Sequence, residues 1–467
     1  MQAHTFNPTI LREYDIRGIV GETLHTDDAL ALGKAFGSML AEKGTKKICV
    51  GYDGRLTSPA MRDALVDGIL STGCSVVMLG LGPTPMVYFA LKDRLYDAGI
   101  MITGSHNPSN YNGFKMSLQS GPFYGDAIQD LGKRAAEGRF ITAEQKGEIE
   151  ELDVKPDYIK RLLSDLKWPE GKNMKVAWDI GNGATGDIAT ELVKHLPGEH
   201  ILLFQDIDGT FPNHHPDPTV DKNLTDLIKT VKDEKCDFGI AFDGDGDRIG
   251  AVDENGNILR CDLLLTLYAK EVIENQPFAH IIGDVKCSQV MFDEITKMGG
   301  HAVMWKTGHS LVKAKMAELK APLAGELSGH IFFADHYYGF DDALYCAIRL
   351  FNIFAREETT LGARLAHLPK LFSTPEIRID VPEEEKMGLP DVIKAQLEAK
   401  KETENFELIT IDGVRVVTED GWWLLRASNT QNCLVVRLEA NSEDGLARLK
   451  SMLTDQLETI GLDANNI

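Results

Sequence analysis

Three aspartates alternate with two glycines in the segment Asp243–Arg248 (DGDGDR), and this spacing is typical of a metal site. In an extended segment alternate side chains point to the same side, so the carboxylates of Asp243, Asp245 and Asp247 would face one point. Like charges so close repel one another unless a cation lies between them, and hard oxygen ligands favour Mg²⁺ or Ca²⁺. An acidic turn in solvent, the simplest alternative, would not need this alternation, nor the apolar run Phe238–Phe242 directly before it.

The loop Thr103–Pro108 (TGSHNP) places a serine and a histidine after another apolar run. A serine hydroxyl is a poor nucleophile unless a base or a metal activates it. The G-x-S-x-G pattern of hydrolases is not met, because Thr103 and Asn107 occupy the glycine positions. Ser105 and His106 are neighbours in what should be an extended loop, so we expect their side chains to point apart and His106 to position the loop.

A glycine-rich segment offers a competing interpretation. Gly181, Gly183 and Gly186 spell G-x-G-x-x-G between a predicted strand and a predicted helix. Asp206 closes the next predicted strand, Ile201–Gln205, 20 residues after the last glycine. This is the fingerprint of a dinucleotide-binding turn, so a dinucleotide-dependent oxidoreductase is a distant alternative. A tight turn between strand and helix is the preferred interpretation, because a dinucleotide site would leave the aspartate triplet unexplained.

The polar loops belong to a unit that repeats three times along the chain. In each unit an apolar run ends in a polar loop, such as Tyr52–Arg55, and about 40 to 65 residues later a second run ends in a second polar loop. Helical patterns such as Thr26–Lys43 alternate with these runs, which predicts an α/β fold. Because ligands bind beyond the carboxyl ends of strands in open α/β sheets, we expect the loops to share one cleft. The first runs are Ile48–Gly51, Val176–Trp178 and His280–Gly283, and the second runs are Gly99–Ile102, Phe238–Phe242 and Pro322–Ala324.

The C-terminal part of the chain follows a different pattern. Short predicted strands precede a closing amphipathic helix, which indicates a smaller α+β domain. The strands are Leu408–Ile411, Val414–Val417, Trp422–Arg426 and Cys433–Glu439, and the helix is Glu443–Ile460 with Ser442 as its N-cap. We therefore divide the chain into domains 1–152, 153–254, 255–369 and 370–467.

Composition excludes several classes of protein. The net charge is −22 and no cluster of Lys and Arg stands out, so we predict no nucleic-acid partner. An acidic protein that binds phosphate esters must use local cations and backbone N–H groups. The start lacks a signal-peptide pattern and no apolar run approaches the ~20 residues of a membrane span, so we expect a cytoplasmic protein without membrane association. The seven cysteines form no C-x-x-C pair and are expected to be reduced core residues.

Taken together, the motifs resemble those of the α-D-phosphohexomutases, in the right order and over essentially the whole chain. The motifs are TGSHNP at Thr103–Pro108, DGDGDR at Asp243–Arg248, GELSGH at Gly325–His330 and RASNT at Arg426–Thr430, supported by EYDIRG at Glu13–Gly18 and KTGHS at Lys306–Ser310. The resemblance implies three similar α/β domains with mixed sheets and a smaller C-terminal α+β domain around a central cleft. It also implies that Ser105 carries a phosphoryl group, and that Mg²⁺ is held by Asp243, Asp245, Asp247 and an oxygen of the phosphoserine.

The resemblance further implies roles for the cleft residues. The acid–base candidates are Lys115, Arg17, His309 and His330. Glu326 and Ser328 would grip the 3- and 4-hydroxyls of a hexose, and the phosphate that does not react would be held by Arg426, Ser428, Asn429 and Thr430. Further substrate contacts are expected from Tyr14, His106, Arg248 and Lys286. The ligands would be small sugar phosphates, with glucose 1,6-bisphosphate as an activator, and the protein would be a monomer or a small homo-oligomer.

Two positions indicate the branch of the family. Leu327 and Asn429 resemble the phosphomannomutase/phosphoglucomutase branch, whereas the alternative, a phosphoglucosamine mutase, usually has Gln and Gly there. Glucose and mannose differ only at position 2, so a grip on the other hydroxyls predicts activity on both. Gln431 and Asn432 depart from the usual end of the phosphate loop, which predicts a more mobile loop.

Overall fold

The computed structural model describes residues 3–356, 359–401, 404–429 and 431–462, with the side chain of Glu383 left aside. Four sheets follow one another along the chain. The first three are mixed and are accompanied by helices, and the fourth is antiparallel. The predicted fold class, three similar α/β domains and a smaller C-terminal α+β domain, is confirmed.

The first sheet has seven strands, and four adjacent strands that reach one edge of the sheet are parallel. Its strands are β1 (Ile16–Ile19), β2 (Lys47–Tyr52), β3 (Ser75–Leu81), β4 (Ala98–Ile102), β5 (Tyr111–Leu118), β6 (Gly121–Pro122) and β7 (Ile149–Glu151). Its helices are α1 (Thr26–Glu42), α2 (Ser58–Leu70), α3 (Thr84–Asp93) and α4 (Asp126–Ala136). The order is β1-β5-β4-β2-β3-β7, with β5 and β1 antiparallel to their neighbours.

The second and third sheets repeat the centre of the first. The second part of the chain contains α5 (Lys155–Leu163), β8 (Lys175–Asp179), α6 (Gly186–Leu192), β9 (Glu199–Leu203), α7 (Thr225–Asp233), β10 (Phe238–Phe242), β11 (Ile249–Asp253) and β12 (Ile258–Leu259). The third contains α8 (Cys261–Asn275), β13 (His280–Asp284), α9 (Gln289–Lys297), β14 (His301–Trp305), α10 (His309–Leu319), β15 (Leu323–Gly325), β16 (Ile331–Phe333), α11 (Ala343–Arg356) and α12 (Leu361–Leu365). The orders β3-β2-β4-β5, β9-β8-β10-β11 and β14-β13-β15-β16 match, each with three parallel strands and a fourth antiparallel one. The predicted repeat is therefore present in the topology.

The fourth sheet contains the four predicted strands and two short strands that the sequence pattern did not indicate. The elements are β17 (Phe372–Ser373), β18 (Ile377–Asp380), α13 (Glu383–Lys386), α14 (Leu389–Lys400), β19 (Glu407–Ile409), β20 (Val414–Thr418), β21 (Gly421–Ala427), β22 (Cys433–Ala440) and α15 (Glu443–Thr459). Ser442 caps α15 as predicted, since its side chain accepts a hydrogen bond from the N–H of Gly445.

The packing of the core joins the first three domains and sets the fourth apart. One apolar cluster runs continuously through all three, from Cys49 in β2 through Trp178 in β8 to Phe351 in α11. The fourth domain has its own core and meets the third through a small cluster of Val285, Trp422 and Leu424. All seven cysteines are buried free thiols. Within the described ranges, no helix combines the length and the apolar character that crossing a membrane requires.

Candidate active site

Ser105 lies at the junction of the first and second domains, in the loop that follows β4. Its side chain is 1% exposed, and its Oγ donates to Asp243 Oδ2 at 3.0 Å. The residue has a φ of 49°, in the left-handed region that few residues other than glycine adopt. The bend brings His106 Nδ1 to 3.3 Å from Ser105 Oγ. The expectation that the two side chains point apart was therefore wrong, because the loop is sharply bent and not extended.

The aspartate triplet lies between β10 and β11, behind Ser105, and all three carboxylates are buried. One oxygen from each lies within 4.8 Å of the others. Asp243 Oδ1 caps the loop by accepting the N–H groups of Asp247 and Arg248, both at 3.1 Å. Lys115 enters from β5 and donates to Asp245 Oδ2 at 2.7 Å and to Asp247 Oδ2.

The donor set of the triplet fits a divalent cation. In the described part of the chain, Asp245 Oδ1 and Asp247 Oδ1 are buried without a hydrogen-bond partner, and such orphaned anionic oxygens are costly unless a cation meets them. Burial, together with the neighbouring carboxylates, raises the pKa of Asp243 well above its usual value. Although burial also opposes ionisation of Asp245, Lys115 outweighs it and lowers the pKa of that carboxyl. Three carboxylates thus share one lysine, which leaves room for a further positive charge.

Two histidines line the same cavity as Ser105 and share one carboxylate. The rings of His309 and His330 stack with their centroids 5.4 Å apart. His330 Nδ1 lies 2.9 Å from Asp341 Oδ2, and His309 Nδ1 lies 3.8 Å from the same oxygen. Arg248 Nε donates to His330 Nε2 at 3.0 Å. Burial lowers the pKa of both His309 and His106 well below the usual value, so these rings are neutral.

Arg17 and Tyr14 enter the cleft from the first domain. Arg17 donates to Asn107 Oδ1 at 2.6 Å and pairs with Asp15. The hydroxyl of Tyr14 donates to the carbonyl of Thr307 at 2.7 Å and accepts from Asn429 Nδ2, so it links three domains.

The loop between β15 and β16 presents Glu326 and Ser328 to the middle of the cleft. Glu326 Oε1 accepts the N–H of Gly308 at 2.5 Å, which fixes the carboxylate. Burial raises the pKa of Glu326 above its ordinary value. Lys286 also faces this region and donates to Glu376 at 3.1 Å. Although burial opposes the charge on Lys286, Glu376 raises the pKa of the ammonium group above its ordinary value.

The fourth domain supplies Arg426, Ser428 and Asn429 at the end of β21. Asp412 holds Arg426 by accepting from its Nε at 2.9 Å, while the buried Nη2 has no hydrogen-bond partner among the described residues. A guanidinium fixed by one edge, with N–H groups to spare, suits a phosphate or a carboxylate. Thr430, the fourth residue predicted for this loop, lies outside the described residues.

These side chains line two adjoining cavities, of about 910 Å³ and about 440 Å³. Both cavities are lined by Tyr14, His106, Arg248, His309 and His330. The larger one adds Lys286, Glu326, Ser328, Arg426, Ser428 and Asn429, and the smaller one adds Arg17, Ser105 and Lys115. All of the predicted site residues that the structure describes are therefore either in this cleft or, like the triplet, directly behind it.

The glycine-rich segment is explained by close packing. A Cβ at Gly183 would lie 3.1 Å from the carbonyl oxygen of Gly244, and one at Gly186 would lie 2.2 Å from that of Gln205. The N–H of Ala184, which a dinucleotide phosphate would need, already donates to Gly244 at 2.9 Å. Gly183 thus lets the turn pack against the loop of the aspartate triplet, and Gly186 lets it pack against Gln205. Asp206 lies beyond the end of β9, in an exposed loop.

Sequence reasoning missed Asp341, Thr84 and the pair Asp53 and Arg55. Asp341 is fully buried between the two histidines and Lys313, whose Nζ lies 3.0 Å away. Thr84, at the start of α3, donates to Asp245 Oδ2 from the neighbouring domain. The doublet of acidic residues before the apolar helix α11 was the only sequence signal for Asp341, and Thr84 had none.

A buried serine beside three carboxylates, in a cleft lined by histidines, lysines and arginines, defines a multidomain α/β enzyme that acts on small phosphorylated molecules. Models of four domain families match the chain: phosphoglucomutase/phosphomannomutase alpha/beta/alpha domain I over residues 8–141, domain II over 156–256, domain III over 260–372 and the C-terminal domain over 376–456.

Individual proteins match over nearly the whole length. The phosphomannomutase/phosphoglucomutase of Pseudomonas aeruginosa is 43% identical over 98% of this chain and 97% of its own. The phosphoglucomutase of Neisseria meningitidis is 42% identical over 96% of this chain and 97% of its own. The crystal structure of a phosphoglucomutase/phosphomannomutase family protein from Burkholderia thailandensis superposes with a TM-score of 0.91 at 44% identity, over 98% of this chain and 99% of that one. The chain belongs to the phosphoglucomutase/phosphomannomutase family, which confirms the resemblance seen in its motifs.

Proposed function

We propose that the protein interconverts hexose 1-phosphates and hexose 6-phosphates of both mannose and glucose, with Ser105 as the phosphoryl carrier. The observation that carries the proposal is the hydrogen bond from the buried Ser105 hydroxyl to Asp243, at the head of a cleft whose far end holds Arg426. One end then has a nucleophile and a metal site, and the other has a phosphate site.

We infer that Asp243, Asp245, Asp247 and a phosphoserine oxygen hold Mg²⁺. When bound, the ion would neutralise charge on the transferring phosphoryl group. The N-acetylphosphoglucosamine mutase of Aspergillus fumigatus, which shares the fold at 15% identity and a TM-score of 0.64, has been solved with GlcNAc-6P and magnesium. The unpartnered carboxylate oxygens of this chain support the same assignment.

The protonation states divide the acid and base roles. Although burial opposes its charge, Lys115 has a raised pKa because Asp245 and Asp247 surround it, so it stays protonated and can stabilise or protonate the Ser105 oxygen. His330 Nε2 already accepts a hydrogen bond from Arg248. His309 is neutral, so its imidazole is suited to take the proton of the attacking sugar hydroxyl. Arg17 lies beside the serine loop and can stabilise charge on the phosphoryl group.

The cycle consists of two phosphoryl transfers. Phosphorylated Ser105 donates its group to the free 6-hydroxyl of a hexose 1-phosphate, and the hydroxyl proton passes to the base. The 1,6-bisphosphate then turns within the cleft, and its other phosphate returns to Ser105, which leaves hexose 6-phosphate. Glu326 and Ser328 hold the sugar in both orientations, while Arg426, Ser428 and Asn429 hold the distal phosphate. Further contacts come from Tyr14, His106, Arg248 and Lys286.

Glucose 1,6-bisphosphate should activate the enzyme, because loss of the intermediate would leave Ser105 without its phosphoryl group. The A. fumigatus mutase has also been solved, as a serine-to-alanine variant, with glucose 1,6-bisphosphate. A reducing compartment suits the seven buried thiols, so we place the protein in the cytoplasm, as a monomer or small homo-oligomer. We also propose the domain division 1–152, 153–254, 255–369 and 370–467.

A coupled assay tests the proposal. Purified protein with Mg²⁺ and a trace of glucose 1,6-bisphosphate should turn over mannose 1-phosphate and glucose 1-phosphate. Ser105→Ala should lower turnover by about 1,000-fold or more while melting within a few degrees of the native protein. Turnover of glucosamine 1-phosphate alone would overturn the sugar assignment, and near-normal turnover by Ser105→Ala would overturn the mechanism.

A further inference from the structure

Arg55 lies beneath the serine loop and uses every N–H group of its guanidinium there. The residue is 1% exposed. Nη2 donates to the carbonyls of Ser105 at 2.8 Å and Asn107 at 2.6 Å, and Nη1 donates to those of Pro108 at 2.5 Å and Tyr111 at 3.0 Å. Nε completes the set by donating to Asp53 at 3.1 Å. Five donors directed at four carbonyls and one carboxylate account for the whole fork.

The partner of Arg55 is itself anchored. Asp53 follows β2 and accepts the hydroxyl of Ser58 at 2.6 Å and the N–H of Gly104 at 3.2 Å. The ring of Phe211, from the second domain, lies 5.2 Å from the guanidinium carbon. The position of the fork is therefore fixed from the first sheet and from the neighbouring domain.

Gly104 shows how closely the fork and the loop approach. A Cβ at this residue would lie 2.4 Å from the guanidinium carbon of Arg55, so only glycine allows the contact. The next residue, Ser105, has a φ of 49°, which costs an L-residue about 1–2 kcal/mol unless its surroundings hold it. Arg55 binds the carbonyls on both sides of His106 and so holds the bend closed.

We propose that Arg55 is the positioning residue of the nucleophile: its fork holds the serine loop in the left-handed bend that aims Ser105 Oγ at Asp243. The inference rests on the proposed role of Ser105. Three loop carbonyls and that of Tyr111 at the start of β5 turn toward Arg55 and therefore away from the phosphoryl group, where their negative ends would oppose transfer. Arg55 touches no substrate, because it lies behind the loop and is absent from the walls of both cavities.

Lysine cannot replace this residue. An ammonium group has three donors on one atom, so Arg55→Lys keeps the charge but cannot span four carbonyls and Asp53. Because a displacement of about 1 Å at a reacting atom can cost about 100-fold in rate, we expect kcat to fall by about 100-fold. The sugar and phosphate loops are untouched, so KM should stay within about threefold.

The experiment compares Arg55→Lys with Gly104→Ala, which displaces the fork from the other side, and with Arg349→Lys as the matched control. Arg349 is equally buried, but it pairs with Glu271 and Asp335 away from the cleft. Steady-state kinetics give kcat and KM. Single-turnover transfer from phosphorylated enzyme to glucose 1-phosphate measures the serine step directly, with melting temperature as a check on folding.

The inference is supported if Arg55→Lys and Gly104→Ala both lose about 100-fold in kcat and in the single-turnover rate, with KM retained, while Arg349→Lys keeps its rate. It is overturned if either folded variant transfers at the native rate, if KM rises in step with the loss, or if Arg349→Lys shows the same loss. Ser105→Ala separates the two proposals: an active Ser105→Ala removes the proposed carrier role of Ser105, whereas an inactive one beside a normal Arg55→Lys removes only this inference.

Discussion

Replacing Lys115 by methionine should strengthen metal binding while it weakens catalysis. Lys115 already places one positive charge in contact with two of the three carboxylates, those of Asp245 and Asp247. Any cation that binds the triplet therefore meets a positive charge in the same buried site. Methionine keeps most of the side-chain volume but removes that charge, so the variant isolates the electrostatic contribution.

The expected changes in Mg²⁺ affinity and in stability follow from the charges in the site. Two unit charges about 4 Å apart interact with about 4 kcal/mol at an effective dielectric constant of about 20, and a divalent ion doubles this. If only about 1.4 kcal/mol of the repulsion reaches the binding equilibrium, Mg²⁺ binds about tenfold more tightly. The metal-free variant should be destabilised by about 3 kcal/mol or more, because removal of one partner leaves buried carboxylates uncompensated.

Thermal unfolding in EDTA and across a Mg²⁺ titration measures both effects, and the coupled assay measures kcat. The Mg²⁺ midpoint should fall about tenfold and kcat about 100-fold or more. Lys286→Met is the control, since Lys286 is also a buried cleft lysine but pairs with Glu376 and not with the triplet. A Mg²⁺ midpoint that stays the same or rises in Lys115→Met would refute the reasoning, as would an equal decrease in Lys286→Met.

Three further predictions concern charge and domain docking. Burial raises the pKa of Asp342 to about 6, so the folded state keeps a proton that the unfolded state loses near pH 4. From pH 5 to pH 7 the native protein should therefore lose about 1 kcal/mol of stability relative to Asp342→Asn. A difference in melting temperature that stays constant between those pH values would contradict this. Arg426→Lys loses the guanidinium fork that Asp412 orients, so KM should rise about 30- to 100-fold with little change in kcat. A decrease in kcat alone, measured by steady-state kinetics, would count against the phosphate role. Arg415 stacks 3.7 Å over the ring of Trp422 and donates to two carbonyls of the third domain. Arg415→Met should therefore lower the temperature at which the C-terminal domain melts in calorimetry. An unchanged thermogram would show that this contact does not hold the two domains together.

Much of the fold was predictable because the repeated unit has strong local signals. The strand ahead of the metal loop, β10, begins and ends where its apolar run predicts, and β15 is offset by one residue. The short strands β17 and β18 were not predicted, because half-exposed segments of two and four residues carry little periodicity. They are strands only because both pair with β22.

The residues of the site also divide into those that the sequence predicts and those that it does not. Residues within motifs, such as Glu326 and Arg426, lie where the motifs predict, because a loop at a strand end is a local feature. Thr84 and Asp341 act through partners outside their own segments: Thr84 bonds to a residue 161 positions away, and Asp341 pairs with His309, Lys313 and His330. No local pattern reports such contacts. The bend at Ser105 was missed for a related reason, since it depends on Arg55, which reaches the loop from another strand end.

The distribution of cores suggests why the site needs four domains. The loops that carry Ser105, the aspartate triplet and Glu326 belong to three domains that share one continuous apolar core, so their relative positions are fixed by packing. The phosphate loop belongs to a domain with a separate core, joined to the third by a small apolar cluster and by polar contacts such as that of Glu439 with Ser288. Polar interfaces between domains open at lower cost than apolar ones. In the proposed cycle the 1,6-bisphosphate must reorient without leaving the cleft. Such a cycle requires one rigid wall for the chemistry and one wall that can release the distal phosphate, and the division of the cores matches this requirement.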